Sequence, residues 1–213
     1  HTGYTWSDGL AVESGRNIRV VDSVARGNAG DGFDSKADGT TVLRSISADN
    51  ARDGIKLWQG KCEIRDSISV GNGSTNVVLQ NGDFTLANVL VANGGPAERA
   101  YGMTVSYDGG PPTTLKMFNT IFSGNNGTAL YLGSPVTFLR EDHDLFDVGD
   151  ETAAVFDGRY YAASDINGGK WTRTTGLGEG TLAATALFEA PGDYHLQASS
   201  PGVDDGTASG ASL

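Results

Sequence analysis

The stretch DSVARGN at residues 22–28 recurs as RSISADN at 44–50, DSISVGN at 66–72, NVLVANG at 88–94, NTIFSGN at 119–125 and, in degenerate form, HDLFDVG at 143–149. Apolar and polar residues alternate within each copy, which is typical of a half-buried strand. The asparagines at 28, 50, 72 and 93 are spaced by 22, 22 and 21 residues, and the step of 32 to Asn125 indicates an insertion. One structural unit is therefore stacked several times.

A second phrase runs in phase with the first, as SDGLAV at 7–12, GDGFDS at 30–35, RDGIKL at 52–57, TNVVLQ at 75–80 and YGMTVS at 101–106. No segment has a helical apolar period over three turns, so helices are expected to be nearly absent. A period of about 22 with short β-branched strands predicts an all-β fold, a parallel β-helix solenoid whose coils bury their apolar faces by stacking.

Equivalent residues should stack in ladders, because strands of successive coils pair in register about 4.8 Å apart. Since a side-chain amide can bond the coils above and below, a structural asparagine ladder is expected at one bend, formed by Asn28, Asn50, Asn72, Asn93 and Asn125. After the DG positions, the residues predicted to point inward are Leu10, Phe33, Ile55, Val78 and Met103. In the other strands they are Val20, Val24, Val42, Ile46, Ile64, Ile68, Leu86, Leu90 and Ile121.

The composition excludes several classes of protein. Of 213 residues, 38% are hydrophobic, and the 31 glycines have no three-residue period, which excludes a disordered chain and collagen. A net charge of −11 argues against nucleic acid or an anionic membrane as partner, and no run of apolar residues predicts a membrane span. The single cysteine, Cys62, permits no internal disulfide. A low fraction of charged residues, 19%, with abundant Asn, Gly, Ser and Thr favours a secreted or cell-surface protein.

The whole chain, residues 1–213, is predicted to be one β-helix domain. Repeats cover 6–150, a loop excursion covers 157–184, and residues 185–213 form a closing coil. No apolar cap precedes the first coil at Trp6, although a solenoid needs a cap at each end. The expectation is that N-terminal coils are missing from this fragment or that another element covers the first coil.

The excursion carries three aromatic residues, Tyr160, Tyr161 and Trp171. We expect them to cover one side or end of the solenoid. A sugar-stacking surface is the alternative interpretation.

Residues that can carry chemistry fall on three consecutive coils, SDGLAVES, GDGFDSK and RDGIKLW. Asp8 and Asp31 are predicted to stack one rung apart, where two carboxylates repel unless a cation lies between them. Asp34 joins them if the chain bends after Gly32. Because Ca²⁺ prefers oxygen ligands, these three aspartates form a candidate calcium site, with Lys56 near the same edge on the next coil.

The sequence resembles the right-handed parallel β-helix proteins of the pectate-lyase-like group. The features that carry the resemblance are the asparagine bends, the DG-led strands and the tail DYHLQASSPGVDDG. The resemblance covers nearly the whole chain and implies a single-stranded, right-handed β-helix. It specifies the fold far better than the activity.

The aspartate coils are similar to those of family 9 polysaccharide lyases, the calcium-dependent pectate lyases with this fold. Their pattern is a DG-led strand, a D-D-G-x-D coil and a later G-F-K-L coil. The resemblance implies that Asp8, Asp31 and Asp34 bind calcium and that Lys56 is the catalytic base. The sequence departs from the pattern at Gly30, which replaces the first aspartate of the D-D pair, and it lacks an insertion before the lysine coil.

The resemblance implies β-elimination in a uronic-acid polymer, so the expected partner is an acidic polysaccharide. Calcium neutralises the uronate carboxylate, a lysine takes the C-5 proton, and the 4-O bond breaks. The residues predicted to bind substrate lie on the same coils and are Lys36, Arg52, Trp58 and Lys61.

Two other functions stay open. Because Asp-Gly commonly opens turns, the first alternative is a non-catalytic glycan-binding or structural β-helix, such as an adhesin, tail-fibre or fibre segment, in which the aspartates serve only to start strands. Lys56 and Arg52 would then pair with Asp31 or Asp34 on a solvated face. The chain also resembles family 28 glycoside hydrolases, the polygalacturonases, but Gly32 replaces an aspartate of their G-D-D motif, and their G-H-G and R-I-K coils are missing. Elimination is therefore favoured over hydrolysis.

Overall fold

The computed structural model, which describes residues 7–95 and 101–208, is a parallel β-solenoid of about 6 turns. The all-β fold class is confirmed. The predicted start of the first coil at Trp6 and residues 209–213 of the predicted closing coil lie outside the described residues. No helix in the described ranges is both long and apolar enough to cross a membrane.

Twenty strands and two short helices make up the described residues. The strands are β1 (Leu10–Val12), β2 (Arg16–Val21), β3 (Val24–Arg26), β4 (Phe33–Ser35), β5 (Asp38–Leu43), β6 (Ile46–Ala48), β7 (Ile55–Leu57), β8 (Gly60–Val70), β9 (Val77–Gln80), β10 (Gly82–Ala92), β11 (Met103–Ser106), β12 (Thr113–Phe118), β13 (Ile121–Ser123), β14 (Leu130–Leu132), β15 (Val136–Asp142), β16 (Leu145–Asp147), β17 (Thr152–Phe156), β18 (Arg159–Ala162), β19 (Phe188–Ala190) and β20 (Asp193–Leu196). The helices are α1 (Ala163–Asn167) and α2 (Lys170–Thr175).

Two long sheets run the length of the solenoid. In sheet A the strand order is β1-β4-β7-β9-β11-β14-β17, all parallel, with β18 added antiparallel at the end. Sheet B bends at a corner, so that β2 and β3 are its two halves on the first coil, whereas β8 and β10 each run through the corner as one strand. The first coils of sheet A carry the candidate site.

The inward ladder of sheet A agrees with the prediction at four of its five positions. Leu10 pairs with Phe33, Phe33 with Ile55, and the ladder continues through Met103. The fourth member is Val77, which is fully buried, and not Val78. Val78 pairs with Lys56 on the outer face, because a slip of one residue reverses the face of a strand.

The prediction for sheet B is right before the corner and wrong after it. Val20, Val42, Ile64 and Leu86 are buried before the corner, but after it Val24 is 66% exposed and Ile46 is 38% exposed. Leu90 is buried and Ile68 and Ile121 are partly buried, all in a small apolar cluster outside the main core. A residue at positive φ forms the corner on each coil and breaks the alternation; these residues are Asp22, Arg44, Asp66, Asn88, Asn119 and His143. The inward positions beyond the corner belong instead to Ala25, Ser47, Ser69, Val91 and Phe122.

The asparagine ladder is present, with one member exchanged. The side chains of Asn28, Asn50 and Asn72 are joined by hydrogen bonds of 2.7 and 2.8 Å. Asn72 then donates to Asn76 at 2.7 Å, and Asn76 donates to Asn125 at 3.1 Å. The predicted member Asn93 is exposed and lies at positive φ, and its amide donates to the Tyr194 hydroxyl.

The excursion at 157–184 contains β18, α1 and α2, and it packs against the last coils. Tyr161 and Trp171 are each only 1% exposed, and their ring centroids are 4.9 Å apart. Trp171 also contacts Phe138 and Phe156 edge-on. These two aromatics therefore cover the apolar core of the solenoid, whereas Tyr160 is 70% exposed.

The described part of the predicted closing coil, residues 185–208, takes a different form. Strands β19 and β20 make a separate antiparallel hairpin. Its Phe188 and Tyr194 pack on the small apolar cluster of Ala48, Val70, Leu90 and Ala92, outside the main core. The tail thus covers part of the apolar stripe that the corner turns outward.

Candidate active site

A ladder of aspartates joins the turns that precede the strands of sheet A. Asp8 Oδ1 accepts the amide N–H of Asp31 at 2.7 Å, and Asp31 Oδ1 accepts that of Asp53 at 2.9 Å. Asp53 Oδ1 in turn accepts the amide of Thr75 at 3.1 Å. Each carboxylate is held by the coil above it, which leaves its second oxygen to face other partners.

The glycine after each aspartate is required by the packing behind it. A Cβ at Gly32 would lie 2.0 Å from Ser47 Oγ, and one at Gly54 would lie 2.2 Å from Ser69 Oγ. These serines point inward beside the asparagine ladder. The repeated Asp-Gly pair therefore has a structural cause at its second position, whatever the aspartate does.

Gly30, the departure from the lyase pattern, is explained by Asp8. A Cβ at Gly30 would lie 2.2 Å from Asp8 Oδ1 and 3.0 Å from the carbonyl carbon of Ser7. An aspartate at this position would displace the carboxylate that receives the Asp31 amide. The arrangement thus has three neighbouring carboxylates and no space for a fourth at residue 30.

The three predicted metal ligands lie together. One carboxylate oxygen from each of Asp8, Asp31 and Asp34 lies within 4.8 Å of the other two. Strand β4 directs Phe33 inward and Asp34 outward, and the turn at Gly32 brings Asp31 to the same side. Asp31 and Asp34 are buried and Asp8 is half-buried, so the carboxylates are close and poorly solvated.

Lys56, on β7, lies next to this cluster. Its Nζ is 3.2 Å from Asp31 Oδ2 and 3.5 Å from Asp53 Oδ2, and only 15% of its side chain is exposed. The ammonium also lies 5.2 Å from the centre of the Trp58 ring. One cation therefore balances part of the charge of four neighbouring aspartates.

Trp58 and Lys36 both contact Asp34. Trp58 Nε1 donates to Asp34 Oδ1 at 2.9 Å, which fixes the orientation of that carboxylate. Lys36 Nζ is 3.8 Å from Asp34 Oδ2, but its shorter contact is with Glu13 Oε2 at 2.7 Å. The hydrogen bond that Lys36 donates to Glu13 raises the pKa of Lys36, so Lys36 is a paired cation at the edge of the cluster.

Burial raises the pKa of Asp34, against the opposing effects of Lys56, Lys36 and the Trp58 hydrogen bond. The cause is lost hydration, which disfavours the ionised carboxylate. A further cation beside Asp34 would restore stabilisation to the ionised form.

The remaining two predicted substrate-binding residues are Arg52 and Lys61. Arg52 is half-buried in the turn before Asp53, and its amide donates to the carbonyl of Gly30 at 3.2 Å. Lys61 is exposed at the start of β8 and lines a groove beyond the turn that follows β7.

Sequence reasoning missed two partners in this site. Asp53 was assigned only to the start of a strand, although its spacing of 22 residues from Asp31 places it on the next rung of the same ladder. Glu13 lies 23 residues before its partner Lys36, which is again one coil. Counting one coil from each charged residue would have found both.

Comparison with protein families agrees with the geometry of the solenoid. Residues 2–141 match the family described as the right handed beta helix region, and the chain belongs to this family. The right hand predicted for the β-helix is thereby supported. Comparisons with curated proteins and with solved structures find no significant match.

Proposed function

We propose that the protein is a polysaccharide lyase that cleaves a uronic-acid polymer by calcium-assisted β-elimination, with Lys56 as the base. The observation that carries the proposal is the grouping of Asp8, Asp31 and Asp34 beside the amine of Lys56. An outward face of an acidic protein then holds both a cation site and a basic group.

The donor set suits calcium. Asp8, Asp31 and Asp34 offer only oxygen ligands, and calcium takes about 6–8 oxygens, so positions are left for water and for a uronate carboxylate. When bound, calcium supplies positive charge that neutralises the substrate carboxylate and the negative charge that develops beside it.

The side chains of the chain itself have separate roles in this proposal. Lys56 accepts the C-5 proton in its neutral amine form, and Asp31 and Asp53 position that amine at the surface of sheet A. Trp58 holds Asp34 in place, and its ring beside Lys56 limits the water around the amine. Lys36 borders the site on the Glu13 side, where it is placed to attract a uronate.

A non-catalytic β-helix is the second candidate, and one observation favours it. The Oδ1 atoms of Asp8, Asp31 and Asp53 each accept an amide from the next coil, which is sufficient reason for aspartate at these positions. In that case the ion pair of Lys56 serves stability alone, and the solenoid binds a glycan or another chain without turnover.

The distinguishing experiment is an ultraviolet assay for unsaturated uronide ends. The protein would be incubated with pectate, alginate and glycosaminoglycans at millimolar calcium, with and without a chelator. The proposal predicts absorbance with at least one polymer, lost with chelator and lost in Lys56→Ala. Lys170→Ala, an exposed lysine on α2, is the matched control. If no polymer gives unsaturated ends, the non-catalytic function takes the place of the lyase.

The proposal also places the protein outside the cell. Uronic-acid polymers are large and anionic, and a chain that acts on them must reach them as a secreted or cell-surface protein.

A further inference from the structure

A groove runs along the solenoid on the side where the turns after sheet A lead into sheet B. Its volume is about 790 Å³, and it crosses five successive coils. With coils about 4.8 Å apart, its length is about 19 Å along the axis. None of the four aspartates of the candidate active site lines it. The groove is therefore a separate feature of the molecule.

One strip along the groove is lined by glycines and has no side chains. A Cβ at Gly60 would lie 2.4 Å from the amide nitrogen of Gly39, and a Cβ at Gly82 would lie 2.5 Å from the carbonyl oxygen of Gly60. Side chains are thus excluded at Gly60 and Gly82 by the close approach of the backbones, and Gly39, on the preceding coil, lies at a φ of 89°, where a side chain is strained. The result is an open track parallel to the axis, along which an extended chain can lie.

The groove has polar walls with hydrogen-bonding groups of both kinds. Arg16 and Asp38 form an exposed pair at 3.6 Å at one end, and Asp83 accepts the hydroxyl of Thr114 at 2.7 Å towards the other. Lys61 lies between them and is exposed. Side chains that donate and side chains that accept suit the hydroxyl groups of a sugar chain, because each hydroxyl does both.

Two lysines give the groove its charge preference. A second cavity of about 300 Å³ continues from Lys61 and Asp83 to Lys116. Within the residues that the structure describes, Lys61 and Lys116 have no ion-pair partner, whereas Glu63 in the same wall is paired with Arg65 at 3.0 Å. Asp83, in the same walls, also has no ion-pair partner among the described residues, and the pairs of Arg16 with Asp38 and of Arg65 with Glu63 cancel. The unpaired charges of the groove therefore sum to +1 in a chain of net charge −11, which favours an anionic ligand.

We propose that this groove binds a strand of acidic oligosaccharide parallel to the solenoid axis, with its carboxylates on Lys61 and Lys116. Lys61, predicted from the sequence to bind substrate, acts here and not at the aspartate cluster. The strand lies on the glycine track, one sugar residue to about one coil. The site needs neither calcium nor Lys56, so it holds whether or not the proposed lyase activity is found.

Binding can be tested by titration calorimetry with oligogalacturonate and oligoalginate, in the presence of a chelator so that no cation site contributes. A neutral cello-oligosaccharide of the same length is the uncharged probe. We expect an acidic probe to bind and the neutral one to bind at least about tenfold more weakly, since hydrogen bonds to charged groups are lost. The double variant Lys61→Ala/Lys116→Ala should weaken acidic binding by about tenfold or more.

Two controls separate this groove from the aspartate cluster. Lys170→Ala removes an exposed lysine elsewhere and should bind as the wild type does, whereas Lys56→Ala removes the lysine of the candidate active site and shows whether the probe binds there instead. Circular dichroism would establish that each variant is folded. The proposal is overturned if neither acidic probe binds, if the neutral probe binds equally well, or if Lys56→Ala and not the double variant abolishes binding.

Discussion

Lys56 Nζ and Asp31 Oδ2 are 3.2 Å apart, and only 15% and 4% of the two side chains are exposed. Asp53 Oδ2, at 3.5 Å, makes the lysine a bridge between two rungs of the aspartate ladder. The same Asp31 is a member of the candidate cation site. The proposed base, the ladder and the candidate cation site thus share one carboxylate, that of Asp31, and several expectations rest on this sharing.

Lys56→Met should destabilise the fold. The variant leaves Asp31 and Asp53 facing each other without their shared cation, and losing hydrogen bonds to a buried charge costs about 1.5–3 kcal/mol. The free energy of unfolding, measured by urea denaturation in chelator, is the test. Lys61→Met, at an exposed lysine, should change it by less than about 0.5 kcal/mol. Equal effects for the two variants would mean that the ion pair contributes nothing.

The same variant should bind calcium more tightly than the wild type does. An ammonium and a calcium ion compete for Asp31 Oδ2, so removing the ammonium removes the competitor. Added calcium should therefore raise the unfolding temperature of Lys56→Met more than that of the wild type. A variant that has lost the calcium response would show instead that Lys56 organises the carboxylates.

Phe33→Ala should cost about 3–5 kcal/mol of unfolding free energy, because Phe33 is only 4% exposed in the inward ladder of sheet A. Leu10, its neighbour on the preceding coil, is 39% exposed and is the internal control. Leu10→Ala should cost clearly less. A small effect at Phe33 would contradict the register of the ladder.

Asp144→Asn should stabilise the protein increasingly as the pH rises. Burial raises the pKa of Asp144 well above its usual value, with nearby Glu141 adding repulsion, and burial also raises the pKa of Glu141. Asp144 Oδ2 is buried without a hydrogen-bond partner in the described structure. The folded wild type therefore binds protons more tightly than the unfolded chain. The stability that the wild type gains from protonation is fully present below the pKa of the unfolded state and is lost as the pH rises through the pKa of the folded state. Asp144→Asn has no such loss at residue 144.

The test for Asp144 and Glu141 is urea denaturation at about pH 5 and about pH 8. At the higher pH, an unpaired buried carboxylate costs roughly 1–3 kcal/mol of unfolding free energy. Asp150→Asn, at an exposed position, should leave the pH dependence of the wild type unchanged. If Asp144→Asn has the same pH dependence as the wild type, the pair is not a source of alkaline destabilisation.

The repeat predicted the solenoid because a period of 22 residues leaves few other ways to bury alternating apolar residues. The prediction of inward-facing residues was wrong beyond the corner, where Val24 and Ile46 point outward, because a residue at positive φ shifts the alternation without changing the composition. It failed at Val78, because Thr75 and not Asn76 occupies the rung of Asp53. Local backbone conformation of this kind leaves little trace in a single sequence.

The placement of Asp8 beside Asp31 could be predicted, since rung spacing brings stacked residues together, whereas that of Asp34 depended on a bend after Gly32. Asp53 and Glu13 lie one coil from Asp31 and Lys36, so the same spacing places them in the site, but it does not show that Asp53 also contacts Lys56. The groove lined by Lys61 could not be predicted either, because it is produced by glycines that are bare for reasons of backbone packing.

Calorimetric titration with calcium tests the central claim most directly, using the wild type and Asp34→Asn, in which the amide oxygen can still accept the Trp58 N–H. We predict one bound calcium per chain, with a dissociation constant of about 10⁻⁴–10⁻³ M, the range of extracellular calcium modules. Binding should be weakened at least about tenfold in Asp34→Asn and unchanged in Asp150→Asn. The absence of binding heat in the wild type at millimolar calcium, or equal binding in Asp34→Asn, would contradict the proposed cation site.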